Sequence, residues 1–173
     1  MRTPFVLLIA STLVLSCKTG GAKADKQVTL NFESRSGSEA TGTGTFKEVD
    51  GKVTFTANIS KLNPGVHAIH IHEKADCSAP DATSAGSHWN PTYKKHGKWG
   101  EGQYHKGDIG NFTTDEFGNG KITFSTDEWC IGCGDPTRDI LGKSVIVHEK
   151  PDDFVTQPTG DAGGRMACAA IIQ

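Results

Sequence analysis

The sequence predicts an all-β domain, a β-sandwich or flattened barrel of about eight strands with two long functional loops. Three observations lead there. Apolar and polar residues alternate with a period of two in several short segments. Glycine and proline, 21 and 7 of 173 residues, fall without a period between those segments. No stretch sustains the 3.6-residue period of an amphipathic helix, and no repeat is present.

Val28, Leu30 and Phe32 alternate with Thr29, Asn31 and Glu33, which describes a half-buried strand. Asp50-Gly51 is a hairpin turn signal joining strands over 43–49 and 52–60. Val53, Phe55, Ala57 and Ile59 supply the inward face of the second. Residues 65–72 read as another strand. Ile122 and Phe124 follow the turn cluster Gly118-Asn119-Gly120. Residues 143–148 and 165–172 are two more short strands. Two segments, 73–108 and 149–164, refuse strand patterning. Each exceeds the usual length of a structureless loop, and such loops in compact domains are often functional.

The length suits one domain with a tail. Eighteen Lys and Arg against 20 Asp and Glu give a net charge of -2, so no basic face for nucleic acid is expected. Arg2 precedes an apolar run from Phe5 to Leu15, too short to span a bilayer comfortably. Residues 1–16 read as a signal peptide. Val14-Leu15-Ser16-Cys17 resembles a bacterial lipoprotein cleavage box, which implies acylation of Cys17. Lys18 after that cysteine is similar to outer-membrane sorting signals. The expectation is therefore an exported lipoprotein of the cell envelope, outer-membrane-anchored and facing the periplasm. It would touch the membrane through the lipid anchor only. Residues 17–26 form the lipidated tether and 27–173 the folded domain. Cys77, Cys130, Cys133 and Cys168 then remain, and four cysteines allow three pairings.

Histidines carry the chemistry. In the strand over 65–72, His70 and His72 share one face, with Cβ atoms about 6.6 Å apart, a span a metal can bridge. His67 points the other way with Ile69 and Ile71, as a buried structural histidine. The first long loop holds His88, His96, His105 and Asp108, a closed tetrahedral set suited to zinc. His148 ends the strand over 143–148 and could converge on His70 and His72. Several imidazoles without a thiolate suit copper or zinc.

Six segments together resemble the copper/zinc superoxide dismutases: Gly65–Glu73, Ser84–Pro91, Lys95–Gly97, His105–Asn111, Val147–Asp153 and Gly163–Cys168. They stand in family order and span roughly residues 28 to 173. The resemblance implies a Greek-key fold and one copper and one zinc ion per subunit. It implies copper ligands His70, His72, His88 and His148, and zinc ligands His88, His96, His105 and Asp108. His88 would bridge the two ions. The implied reaction converts two superoxide anions to O₂ and hydrogen peroxide, with copper cycling and zinc structural. The resemblance makes Arg165 the active-site arginine and His88 a proton carrier. It makes Asp152 the carboxylate that holds His70 and His96, and Thr159 a residue of the entrance. It also pairs Cys77 with Cys168.

The departures matter. His148 to Arg165 is short, and Pro158 stands where many eukaryotic members carry a guiding lysine. Lys94, Lys95, Lys98 or Lys150 are the candidates to steer substrate instead. Cys130 and Cys133 lie outside the common pattern and read as a second, local disulfide in a loop over 129–136. Trp89, Trp99 and Trp129 read as packing residues. The competing function is a periplasmic copper/zinc-binding module without turnover. A zinc hydrolase is disfavoured, because the zinc set is closed by four protein ligands. The oligomeric state, a homodimer included, is left open by the sequence.

Overall fold

The structure, a computed structural model, describes residues 25–173. The expected signal peptide, Cys17 and the tether up to residue 24 lie outside the described residues. Eight antiparallel strands close into a barrel: β1 (Lys26–Ser34), β2 (Thr41–Val49), β3 (Lys52–Ser60), β4 (Gly65–His72), β5 (Gly110–Thr114), β6 (Gly120–Thr126), β7 (Lys143–His148) and β8 (Arg165–Ile171). Their order around the barrel is β1-β2-β3-β6-β5-β4-β7-β8, and β8 returns to pair with β1. The connections β3–β4 and β6–β7 cross over their neighbours, which is the Greek-key pattern. One three-residue 3-10 turn, Thr83–Ala85, is the sole helical element among the described residues.

The expected alternation explains the wall. Val28, Leu30 and Phe32 are buried, and their intervening neighbours face water. Phe46 and Phe55 are cross-strand partners whose rings stack at 4.6 Å. Each such fully buried side chain contributes about 1.5–3 kcal/mol. At the β2–β3 turn, Asp50 and Gly51 both have positive φ, 50° and 79°. That backbone matches the twist of the strands it joins, and glycine adopts it without steric cost.

The sequence reading missed β5, and gave the third long connection, 127–142, as a shorter loop over 129–136. In β5 the inward residues are Gly110, Phe112 and Thr114, so only one large apolar side chain marks the period. Thr114 is buried through hydrogen bonds instead. Its Oγ1 donates to Asn63 O (2.8 Å) and accepts from Gly65 N–H (3.0 Å). The third connection is held by Trp129, fully buried edge-on against Phe46. Trp89 is also buried and Trp99 packs on the core, so all three tryptophans serve packing.

Candidate metal centre

Strand period places the first ligands. Ile69 and Ile71 of β4 enter the core, so His70 and His72 point out of the barrel wall. Val145 and Val147 of β7 do the same, which turns His148 to that outer side. The two unpatterned segments cover this wall, and His70, His72 and His148 are all buried beneath them. His67 is buried on the other side, its ring nitrogens 2.9 and 2.8 Å from the carbonyl oxygens of His148 and Asn63.

Backbone pairing carries the loop histidines to the same place. His88 forms an isolated bridge with His72. Trp89 N–H donates to Ile71 O (2.8 Å), Ile71 N–H to Gly107 O (2.9 Å) and Gly107 N–H to Trp89 O (3.0 Å). This three-way lacing gathers His88, His105 and Asp108 beside the same edge of β4, with His88 Nδ1 2.9 Å from Asp108 Oδ1. It demands glycine at 107, because a Cβ there would lie 2.2 Å from Ile71 O.

Two ligand sets result, each with its ligand atoms within 4.8 Å of one another: His70, His72, His88 and His148, and His88, His96, His105 and Asp108. All seven residues are buried. Their hydrogen bonds select the tautomers. His70 donates Nε2–H to Asp152 Oδ2 (2.8 Å), and His72 donates Nδ1–H to Gly86 O (2.9 Å). The lone pairs at His70 Nδ1 and His72 Nε2 are therefore free to ligate. His96 donates Nε2–H to Asp152 Oδ1 (2.9 Å), which frees its Nδ1.

These groups fit metal ions. His70 Nδ1, His88 Nε2, His96 Nδ1 and His105 Nδ1 are buried without a hydrogen-bond partner. Buried polar atoms are seldom left so. His96 Nδ1 and His105 Nδ1 approach Asp108 oxygens at 2.9 and 3.3 Å without hydrogen-bond geometry. His72 Nε2 and His148 Nε2 stand 3.4 Å apart. Nitrogens sharing a tetrahedral ion at about 2.0–2.1 Å are about 3.4 Å apart.

Electrostatics separate the sets. Burial first, then the neighbouring histidines, push His72 and His148 well below the usual imidazole range. Burial and His70 bring His88 down to about 3, against the pull of Asp108. Burial alone would lower His96 too, but the Asp108 and Asp152 carboxylates facing its two ring nitrogens outweigh it and raise that group to about 9. Burial opposes ionisation of Asp108 and Asp152. The histidines bonded to them nevertheless hold both carboxyls below their ordinary range.

Asp152 reaches one histidine of each set. Its neighbour Asp153 instead caps a turn, accepting Val155 and Thr156 N–H at 2.8 Å each. Arg165 opens β8 opposite His148. Its Nη1 donates to Ala82 O (2.7 Å) and its Nη2 to Gly86 O (2.9 Å), the carbonyl that also accepts from His72. A cavity of about 340 Å³ lies over the bridging residue, lined by His88, Tyr93, Lys94, Lys95, His105 and Thr159. Lys98 pairs with Glu101 at 2.6 Å instead.

Cys77 and Cys168, 91 residues apart, form a disulfide that ties the first long loop to β8. Cys130 and Cys133 form the second. Three supporting residues escaped the sequence reading. Asn111 grips the Asp152 backbone at 2.8 and 2.9 Å. Gln157 exchanges two hydrogen bonds with the His96 backbone, 2.9 Å each. Gly160, at φ 69°, leaves the room that Asp152 and His96 occupy. A glycine inside an unpatterned loop was the one signal available for any of them.

A Greek-key barrel with two abutting ligand sets that share one imidazole defines a class of β-barrel metal-binding protein. The family pattern described as copper/zinc superoxide dismutase (SODC) matches residues 40–171, and the chain belongs to that family. A crystal structure described as the clock protein EA4 is similar, with a TM-score of 0.72 and 35% identity over 84% of this chain and 94% of that one.

Proposed function

We propose that this protein dismutates superoxide: two superoxide anions and two protons give O₂ and hydrogen peroxide. The observation that carries the reading is His88, one residue belonging to both ligand sets, beside a fixed guanidinium. Copper held by His70, His72, His88 and His148 would supply one-electron chemistry, while zinc held by His88, His96, His105 and Asp108, having none, would hold the loop.

The remaining work belongs to the chain. Arg165 is braced by two carbonyls, so its charge and remaining N–H groups are aimed without reorganisation. Burial lowers its pKa from the usual value, and Asp81 opposes that fall. His88 Nε2 has no protein partner and can hold a proton for delivery to the reduced anion. Asp152 keeps His70 and His96 in their ligating tautomers. Lys94 and Lys95 line the cavity over His88 and, against the single carboxylate of Glu73 there, would favour approach of an anion. Thr159 shares that lining.

The proposal extends to the cell envelope. The apolar run Phe5–Leu15 and Cys17 support an exported, lipid-anchored protein facing the periplasm. Its small-molecule partner is superoxide, it needs no nucleic acid, and a homodimer is compatible with it.

The test is superoxide decay against copper occupancy in zinc-loaded mature protein. The rate should rise linearly with copper. Arg165→Ala should lower it about 10- to 100-fold, the worth of one charge-assisted hydrogen bond of about 1.5–3 kcal/mol, with copper binding unchanged. Tight copper binding without faster decay would sink the enzyme reading. It would leave a metal-binding module without turnover.

A further inference from the structure

The β6–β7 connection carries a third group of ligating atoms, outside both histidine sets. Cys130 Sγ, Cys133 Sγ and an Asp139 oxygen lie within 4.8 Å of one another. We propose that this loop is a redox-gated copper(I) site: a dithiol reductant opens the Cys130–Cys133 disulfide, and the two thiolates then bind one Cu(I).

The two cysteines are held differently. Cys130 sits in a rigid frame. Its N–H donates to Arg138 O (2.8 Å), and its carbonyl accepts from Ile140 N–H (3.1 Å). Its neighbours Trp129 and Ile131 are fully buried, and Ile131 N–H donates to Glu48 Oε2 (2.9 Å). Cys133 is exposed and lies between Gly132 and Gly134, both at positive φ, 59° and 75°. Glycine permits that backbone at little cost. Once the disulfide is open, side-chain rotation of exposed Cys133 can bring its sulfur to the wider spacing of a metal-bridged pair while the loop backbone and barrel stay in place.

Asp139 keeps the loop shaped in either state. Its Oδ1 accepts from Gly132 (2.9 Å) and Leu141 (3.1 Å), and its Oδ2 from Gly134 (2.8 Å). None of these bonds involves sulfur, so opening the disulfide leaves them in place. They also engage both carboxylate oxygens, which leaves two thiolates as the free ligands. Two soft ligands complete a site for Cu(I), whereas structural zinc takes four.

The chemistry balances. A dithiol attacks Cys133 Sγ, and a second thiolate of the same reductant then resolves the mixed disulfide. The loop disulfide gains two electrons and two protons, and the reductant becomes a disulfide. Binding of Cu(I) releases the two thiol protons. Cys133 is the exposed target, whereas in the other disulfide Cys77 is half-buried and Cys168 buried.

The experiment uses mature protein with its histidine sites already loaded with copper and zinc. Limited dithiol treatment should free two thiols, which alkylation and mass spectrometry should map to Cys130 and Cys133. Cu(I) is then titrated against a chromogenic Cu(I) chelator. Reduced protein should take one additional equivalent, with a near-ultraviolet thiolate-to-copper band and altered emission from Trp129. Untreated protein, with neither thiolate, and reduced Cys133→Ser, with one, should bind that equivalent at least about 100-fold more weakly, beyond the loss an outer partner alone brings. The proposal falls if thiols appear at Cys77 and Cys168 instead. It falls equally if reduced protein takes no extra copper, or if untreated or Cys133→Ser protein takes it as tightly. Untreated protein is folded wild type, so the comparison survives misfolding of the variant.

Discussion

Asp152→Asn should weaken the two ion sites unequally, and the hydrogen bonds say which suffers. Oδ1 of Asp152 accepts two donors, His96 Nε2–H (2.9 Å) and Phe154 N–H (2.7 Å). Oδ2 accepts one, His70 Nε2–H (2.8 Å). An asparagine has one acceptor oxygen and one NH₂. It satisfies more donors by keeping its oxygen at the Oδ1 position. The NH₂ then faces the N–H of His70, donor against donor. Relief requires His70 to move its proton to Nδ1, the atom that must ligate. Loss of such an outer partner costs about 10- to 100-fold in metal affinity, or about 1.4–2.7 kcal/mol. That loss falls on the four-histidine site, while the site containing His96 changes by less. Separate chelator competitions for copper and zinc measure both. A larger loss of zinc than of copper, or no loss of either, would refute this account of Asp152.

The remaining predictions concern the shell, the staple and protons. Gly160→Ala would set a Cβ 1.9 Å from Asp152 Oδ1 and 2.7 Å from His96 Nε2, at φ 69°. Zinc affinity should fall at least about 10-fold, seen by chelator competition, since the outer partner must shift. Cys77→Ser with Cys168→Ser opens a 91-residue separation. By the chain-entropy model that costs about 4–5 kcal/mol, to be read from denaturant midpoints with zinc and copper saturating. His96 lies at about 9 in metal-free protein against 6.5 normally, a raised group. Its stabilisation is complete below pH 6.5 and is lost as pH rises to about 9, so metal-free protein should become less stable across that window. Zinc must also displace this proton at neutral pH. Its affinity should rise about tenfold per pH unit towards 9, and calorimetry in buffers of different ionisation enthalpy should detect one proton released.

Strands whose inward residues are large and apolar were legible from sequence, because burial itself writes the period. Lys52–Ser60, with Val53, Phe55, Ala57 and Ile59 inward, is the clearest. Gly110–Thr114 was not, because a glycine and a hydrogen-bonded threonine occupy two of its three inward positions. The His70 and His72 pair was legible for the same periodic reason. The convergence of His88, His96, His105 and Asp108 on it depends on loop lacing at Ile71, Trp89 and Gly107, which spacing does not encode. Neither does spacing encode Asn111, Gln157 or Gly160. They act between segments distant in sequence, Asn111 and Gln157 through side-chain amides on another segment's backbone and Gly160 through an absent side chain.

The two ligand sets differ in charge, and this gives the physical reason to place the redox ion in the four-histidine set. His72, His88 and His148 are held neutral by burial and by one another, and no carboxylate belongs to that set. The one anionic ligand an ion there would have is the His88 imidazolate, shared with the other set, so a one-electron change would be felt strongly by an arriving anion. The other set contains Asp108, braced by hydrogen bonds from His105 N–H (2.8 Å) and Gly97 N–H (3.2 Å), which neutralises part of its ion's charge. Asp152 adds a negative charge between the sets, behind His70 and His96 rather than toward Arg165. Gly86 O gathers both Arg165 and His72, and the Glu73 carboxylate stands beside it on Ser87 N–H (3.3 Å). In the proposed reaction the anion would meet the Arg165 guanidinium there. Charge reversal at Arg165 should therefore impair capture of the anion more than neutralisation does, with little change at the zinc set.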